Sequence, residues 1–206
     1  MKYFDKGVSP FAGFAENTAE NFAQLYDMVP ANRPILFVAT SETEIPAPWK
    51  VLNYIKGLQM VYDVNTDKPE VEMQAQIVPL TTADIPQMLA LTKLTSPGPF
   101  EARTIYFGHY YGIFDNDKLV AMAGQRLHCF SHAEISAVCT HPDHLGKGYA
   151  RQLLAQQVNR IKNAGEMPFL HVRYNNNRAV KVYESLGFYT RTYVHFYVIQ
   201  KQGTSD

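Results

Sequence analysis

The stretch Thr140-His141-Pro142-Asp143-His144-Leu145-Gly146-Lys147-Gly148-Tyr149-Ala150 joins a strand-forming run to the start of an amphipathic helix. Glycine has no Cβ, so Gly146 and Gly148 let the chain turn tightly enough for consecutive backbone N–H groups to converge on one point. A helix start adds unpaired donors and partial positive charge. Together these suit a phosphate or pyrophosphate, with the Lys147 ammonium at the rim. A plain structural turn is the other reading of the same residues. Two familiar phosphate loops are excluded: no Gly-Lys-Ser/Thr follows a long gap, and the glycine triplet of a dinucleotide fold is missing.

Such a turn needs a strand before it and a helix after it. Glu134 to Thr140 reads as the strand. Tyr149 to Asn163 reads as the helix, with Ala150, Leu153, Leu154, Val158 and Ile161 on one stripe, and Gly165 placed as a left-handed stop. Phe169 to Val172 is a short buried strand, Asn177 to Leu186 a second helix ended by Gly187, and Tyr189 to Gln200 a long aromatic strand. Upstream, Tyr110 to Phe114 and Lys118 to Leu127 read as strands joined through the turn Asp115-Asn116-Asp117. Val78-Pro79-Leu80 ends a strand, and Thr82 is positioned to cap a helix containing Met88, Leu89 and Leu91. Two prolines and a glycine make Thr95 to Phe100 a loop. Antiparallel strands followed by alternating helices and strands predict an α/β (α+β) fold, a mixed sheet with helices packed on it.

The polar run Asp63 to Glu70 marks a boundary between a smaller N-terminal α/β segment, residues 1–70, and a main domain, residues 71–206. Within the first segment Asn17 to Met28 predicts a helix and Ile35 to Ala39 a buried strand, while Trp49 to Val61 fits either. The 206 residues are 46% hydrophobic and 18% charged, a globular composition. The zero formal charge offers no clustered cationic excess for nucleic acid or a membrane surface. No apolar run is long enough to cross a bilayer, and Met1 to Lys6 lacks the apolar core of a secretory signal. Cys129 and Cys139 are too few for a disulfide framework, and neither they nor the scattered histidines have metal-ligand spacing. No metal is expected, and a reduced, cytoplasmic location is the default.

The second half resembles the GNAT superfamily of N-acetyltransferases, most of all its glycine-acyltransferase-like branch. The resemblance lies in Glu134-Ile135-Ser136-Ala137-Val138-Cys139-Thr140-His141-Pro142, in Leu145 to Ala150, in Pro168-Phe169-Leu170-His171-Val172, and in Asn176-Asn177-Arg178-Ala179-Val180-Lys181-Val182-Tyr183-Glu184-Ser185-Leu186-Gly187-Phe188. It runs from about Val78 to Gln200. One position departs: the family turn begins with Arg or Gln, and Leu145 stands there.

The resemblance implies a mainly antiparallel, twisted sheet and acetyl-CoA as co-substrate. Donor contacts would come from Val138, Cys139 and Thr140 along the pantetheine arm, from Gly146, Lys147, Gly148, Tyr149, Ala150 and Arg151 at the pyrophosphate, and from Asn176. Either Asn176 or Asn177 caps the helix that follows. Backbone atoms would do the pantetheine binding, so Cys139 reads as a small buried hydrophobe rather than a nucleophile. Tyr183 occupies the position of the family's general acid, where a core tyrosine is the alternative. Glu134 is the candidate general base, with His132, His128 and His171 as rivals, and a strand N–H of Val138 or Cys139 would polarise the carbonyl.

The acceptor is not written in these residues. The aromatic-rich stretch Thr95 to His109 and its flank, with Phe100, Tyr106, Phe107, Tyr110 and Tyr111, either frames it or packs on the N-terminal segment. That segment is read as a relic of a second acyltransferase-like half, an acceptor cover or a homodimer element. Three functions stand: an acyl-CoA N-acyltransferase acting on a small amine or amino acid, a protein lysine or N-terminal acetyltransferase, and a non-catalytic acyl-CoA-binding module.

Overall fold

The aromatic run near the C-terminus becomes the 14-residue strand Phe188–Lys201, and its neighbours organise the whole sheet. The computed structural model describes residues 1–63, 65 and 71–201, so most of the expected boundary, Asp63 to Glu70, lies outside the described residues. In chain order the elements are β1 (Lys2–Tyr3), β2 (Phe11–Gly13), α1 (Ala19–Met28), β3 (Ile35–Ala39), β4 (Trp49–Tyr62), β5 (Val78–Pro79), α2 (Ile85–Thr95), β6 (Tyr111–Asp115), β7 (Lys118–Cys129), β8 (His132–Thr140), α3 (Tyr149–Asn163), β9 (Met167–Arg173), α4 (Asn177–Ser185) and β10 (Phe188–Lys201).

All ten strands form one sheet, in the order β1-β2-β3-β10-β4-β9-β8-β7-β6-β5. Every neighbouring pair is antiparallel except β2 with β3 and β8 with β9. The stretch from Trp49 that fits either helix or strand is a central strand, because β10 and β9 supply backbone partners on its two sides. Tertiary pairing decides what local pattern leaves open. The strands of residues 1–70 therefore belong to the same sheet as those of residues 71–206.

Side chains alternate across a strand, and the helices follow that alternation. Met122 and Cys139 pack with Met88 and Leu91 of α2, whereas Ala121 and Ala123 pack with Leu153 of α3. Helices α2 and α3 thus cover opposite faces of β7 and β8. Leu154, Val158 and Ile161 of α3 join Tyr183 of α4 in one cluster with Ile135, Leu170, Leu58 and Met60. Burying each such side chain contributes roughly 1.5–3 kcal/mol, which fixes the start of α3 against the end of β8.

Local chemistry sets the element ends. Thr18 caps α1, its hydroxyl accepting from the Asn21 N–H at 3.2 Å. The turn before α2 is capped by Thr81 rather than Thr82. Thr81 Oγ1 accepts from the Ala83 N–H, while Asp84 accepts from the Thr81 N–H at 2.7 Å, a reciprocal box that Thr82 cannot make. Asn116 and Asp117 have φ of 48° and 62°, as a tight two-residue hairpin turn requires. Gly165 ends α3 with φ 74°.

Candidate active site

Strands β8 and β9 pair in parallel from His132↔Met167 to Ile135↔Leu170, and their pairing stops there. Beyond that point β8 stays with β7 as far as Thr140↔Ala121, while β9 stays with β4 as far as Gly57↔Arg173. The sheet forks. Inside β8 the register against β7 slips between Met122 and Gly124, and Ala137 takes φ 53°, a strained value for a residue with a Cβ. The bulge turns the strand from Ser136 to Thr140 away from β9 and leaves its edge facing the gap. Thr140 Oγ1, a buried hydroxyl with no hydrogen-bond partner among the described residues, marks that strand as one suited to a polar ligand.

At the end of β8 the chain passes through Gly146 (φ 84°) and Gly148 (φ 75°) into α3. A Cβ at Gly146 would meet nothing within 4 Å, so this glycine serves conformation and not space. Gly148 caps α3 without any side-chain hydrogen bond, and the first helical bond runs from the Gln152 N–H to Gly148 O. The N–H groups of Tyr149, Ala150 and Arg151 precede that bond, so they are the unpaired donors of the first turn. His144 buttresses the turn, with Nε2 2.8 Å from Asp115 Oδ2 and its ring stacked 6.3 Å from that of Tyr149. Lys147 and Arg151 are exposed beside it. Turn, bulged strand and unpaired donors fit the pyrophosphate and pantetheine of acetyl-CoA, which these residues would hold through backbone atoms.

Val138 packs in the cluster of Tyr183 and also in that of Tyr149, linking the two tyrosines across the fork. Burial pushes the Tyr183 phenol up to about 12, which keeps it protonated, and its hydroxyl makes no hydrogen bond among the described residues. Asn176 caps α4, its Oδ1 accepting from the Ala179 N–H at 3.2 Å, and Asn177 is the first helical residue. The Asn176 amide N–H groups are left for a ligand. Cys139 is buried beneath α2, and burial raises its thiol to about 11, so it is no thiolate nucleophile.

Glu134 departs from the expected base. It is 0% exposed, and its carboxylate accepts from Arg126 Nε at 2.9 Å, from Arg126 Nη2, from the Leu127 N–H and from His171 Nδ1 at 2.7 Å. Burial alone would raise its pKa, but the Arg126 guanidinium and these hydrogen bonds outweigh it and hold the carboxyl far below the usual range. A carboxylate so paired takes no proton from an ammonium. His171, one residue past the last β8–β9 pair, stands at the fork instead; its Nε2 lies 3.2 Å from Gln59 Nε2. His132 and His128 lie at the opposite end of β8, on the hairpin, where His128 pairs with Glu166.

The wall around this network comes from distant segments. The Arg126 guanidinium lies 4.6 Å over the Phe11 ring, and Tyr110 packs edge-on to Phe100. Gly124 is required there, since a Cβ would stand 2.3 Å from the Tyr110 ring. The N-terminal residues clasp the segment before β6: the Arg103 N–H donates to Gly7 O, Thr104 Oγ1 donates to Val8 O at 2.7 Å, and Phe4 packs on Phe107.

A crystal structure of a putative GNAT-family acetyltransferase from Novosphingobium aromaticivorans is 31% identical to this chain, covering 96% of it and 86% of that protein, with a TM-score of 0.85. The chain belongs to the GNAT family. The FR47-like protein family matches residues 110–197, the stretch that carries both limbs of the fork. The [ribosomal protein bS18]-alanine N-acetyltransferase of Salmonella typhimurium is 28% identical over 135 residues, 62% of this chain and 89% of that protein. The Escherichia coli ribosomal-protein-S18-alanine N-acetyltransferase, at 20% identity and a TM-score of 0.51 over 65% of this chain, shares the fold. This GNAT protein is accordingly an acetyltransferase, and acetyl-CoA is the co-substrate its family implies. Among the described residues no group of three or more His, Cys, Asp or Glu side chains is arranged to hold a metal ion.

Arg126, Gln59 and Arg191 join this network without a local motif that marks them in the sequence. Arg126 has one visible sign, a charged residue late in the apolar run from Lys118. The buried Gln152 is likewise unmarked; its Oε1 accepts from the Gln74 and Ala75 N–H groups at 2.8 and 2.9 Å and ties that segment to α3.

Proposed function

We propose that the protein transfers acetyl from acetyl-CoA to the primary amine of a small molecule or amino acid by direct attack, with His171 as general base and Tyr183 as general acid. The observation that carries this reading is the fork, with these two side chains entering from opposite faces. Tyr183 packs with Leu170 and Val172, whereas His171 alternates with them along β9. The pyrophosphate rests on residues 146–151 and the pantetheine amides follow Val138 to Thr140, which brings the thioester to the bulge. There a Val138 or Cys139 N–H polarises its carbonyl. His171 Nε2 takes a proton from the ammonium, and the freed amine forms the N–C bond. The C–S bond then breaks, the Tyr183 phenol gives its proton to the departing thiolate, and the second proton shed by the acylated nitrogen restores the phenol through solvent.

A small acceptor is favoured by the clasp of the N-terminal residues on the segment 103–107 and by Phe11 packed on Arg126 behind Glu134, which we read as enclosing the acceptor side. A glycine-acyltransferase-like acceptor suits that enclosure, and the residues before β4 then serve the rest of the sheet as its acceptor cover. The second reading, acetylation of a protein N-terminus, has one specific support in the Salmonella relative named for that activity. The two free cysteines suit a reduced, cytoplasmic setting. The deciding experiment is a CoA-release screen with acetyl-CoA against amines, amino acids and N-terminal peptides. Turnover of small amines is expected; turnover confined to peptides would transfer the proposal to the second reading.

A further inference from the structure

We propose that Gln59 and Arg191 are positioning residues that fix His171 in its Nδ1-protonated, neutral tautomer, with Nε2 presented as the proton acceptor. The inference rests on the reading that His171 is the base. Its logic starts from two ends that can only donate, Arg126 and Arg191. Arg191 Nη1 lies 2.6 Å from Gln59 Oε1, so the amide oxygen faces the guanidinium and the amide NH2 faces His171 Nε2 at 3.2 Å. Against an NH2 group, Nε2 must accept. The ring proton therefore sits on Nδ1, which donates to Glu134 Oε1 at 2.7 Å, and Arg126 keeps that carboxylate ionised. The sense of every bond in the chain Arg126–Glu134–His171–Gln59–Arg191 is fixed from its ends.

The backbone is arranged for this. Gln59 and His171 are direct cross-strand partners on β4 and β9. Across β4 the pairing runs Met60↔Thr190 and then Gln59↔Thr192, which makes Arg191 the extra residue of a β-bulge. The bulge aims the exposed Arg191 side chain onto Gln59. The charged and titratable groups near His171 include Glu134 on β8, Arg126 on β7 behind it, Arg191 on β10 beyond Gln59, and Arg173 two residues along the same face of β9; Tyr110 and Cys129 lie beside the Arg126–Glu134 pair. The rings of Phe169 and Phe196 stand edge-on to the imidazole at 5.7 and 5.6 Å.

The same arrangement resists a proton on Nε2. An imidazolium N–H would face the Gln59 NH2, so the amide would have to rotate, and its NH2 would then confront Arg191. Arg191 would have to let go. Holding the amide thus keeps Nε2 presented as an acceptor and yields it only when an ammonium displaces Gln59.

The test combines pH profiles of kcat/KM with ¹⁵N NMR of histidine-labelled protein, the His171 signals being assigned by their loss in His171→Gln. In the wild type the NMR is expected to show the Nδ1–H tautomer. Arg191→Ala, at an exposed site, is expected to move the acid limb of kcat/KM up by about 0.5–1 pH unit, with Gln59→Glu moving it further, and to leave acetyl-CoA affinity unchanged. An Nε2–H tautomer in the wild type overturns the inference, as does an NMR titration of His171 that neither variant moves. An NMR titration that moves while the kcat/KM limb stays fixed upholds the positioning and discards His171 as the base, which separates the two failures.

Discussion

Glu134 Oε1 lies 2.7 Å from His171 Nδ1 across the point where β8 and β9 part, so a fully buried carboxylate is spent on a histidine that borders the fork. Two strands that stayed paired would have no gap for a thioester. Two strands that parted earlier would separate the carboxylate from the imidazole. The pair and the fork depend on each other, and the Ala137 bulge on β8 is what lets both exist within a few residues.

Glu134→Gln should therefore damage stability and activity together. The amide leaves the Arg126 guanidinium buried without its counter-charge, a loss on the order of 3–5 kcal/mol by denaturant unfolding. The pH dependence has a definite sign. The folded-state pKa of Glu134 is depressed, so its contribution is present above the unfolded value of about 4.3 and is lost as pH falls below it. Wild-type stability should drop on acidification from pH 5 to 3. Glu134→Gln should show a shallower drop, and parallel slopes would contradict the buried ion pair.

Tyr183→Phe should lower the rate of thiol release by about 10²–10⁴ while calorimetric affinity for acetyl-CoA stays within a few-fold. Burial pushes the phenol up to about 12, so the acid is lost only as pH rises through that value. Between pH 7 and 10 the rate should show no decline attributable to Tyr183. Release at the wild-type rate in the variant would remove Tyr183 from the mechanism.

How much of this was legible beforehand depends on the reach of each interaction. The helix from Tyr149 to Asn163 is readable to the residue, because its glycine start, apolar stripe and Gly165 stop all lie within its own length. Thr81 against Thr82, and Asn176 against Asn177, are choices between adjacent residues of similar chemistry, which only backbone geometry separates. The base is harder still. Gln59, Arg126, Glu134, His171 and Arg191 come from five different strands, and no periodicity connects them. Glu134 in isolation has the right type for a base; its partner Arg126, eight residues away across a hairpin, removes that role. Trp49 to Tyr62 carries the alternation of neither a helix nor a half-exposed strand, since each end meets a different environment.

Gly146→Ala isolates the donor turn. A Cβ at this position touches nothing, so the cost is purely that of holding φ near 84°, roughly 1–2 kcal/mol for a residue with a side chain. If the bound state requires that conformation, acetyl-CoA affinity by calorimetry should fall roughly ten-fold. The global unfolding midpoint should move little, because an exposed turn can relax when no ligand fixes it. Unchanged affinity would show that the turn does not carry the pyrophosphate.

Thr104→Val tests the clasp that distinguishes a small acceptor from a peptide. The Thr104 hydroxyl donates to Val8 O and accepts from the Glu101 N–H at 2.8 Å, and the residue is buried. Valine keeps the shape and deletes both bonds, leaving a carbonyl and an N–H unpaired at a cost of about 1–3 kcal/mol. The N-terminal residues should loosen from the segment 103–107, and KM for a small amine should rise several-fold while KM for acetyl-CoA holds. Bulky amines and short peptides that the wild type rejects should gain turnover. A variant in which both KM values rise together would mean that the clasp supports the whole sheet and does not select the acceptor.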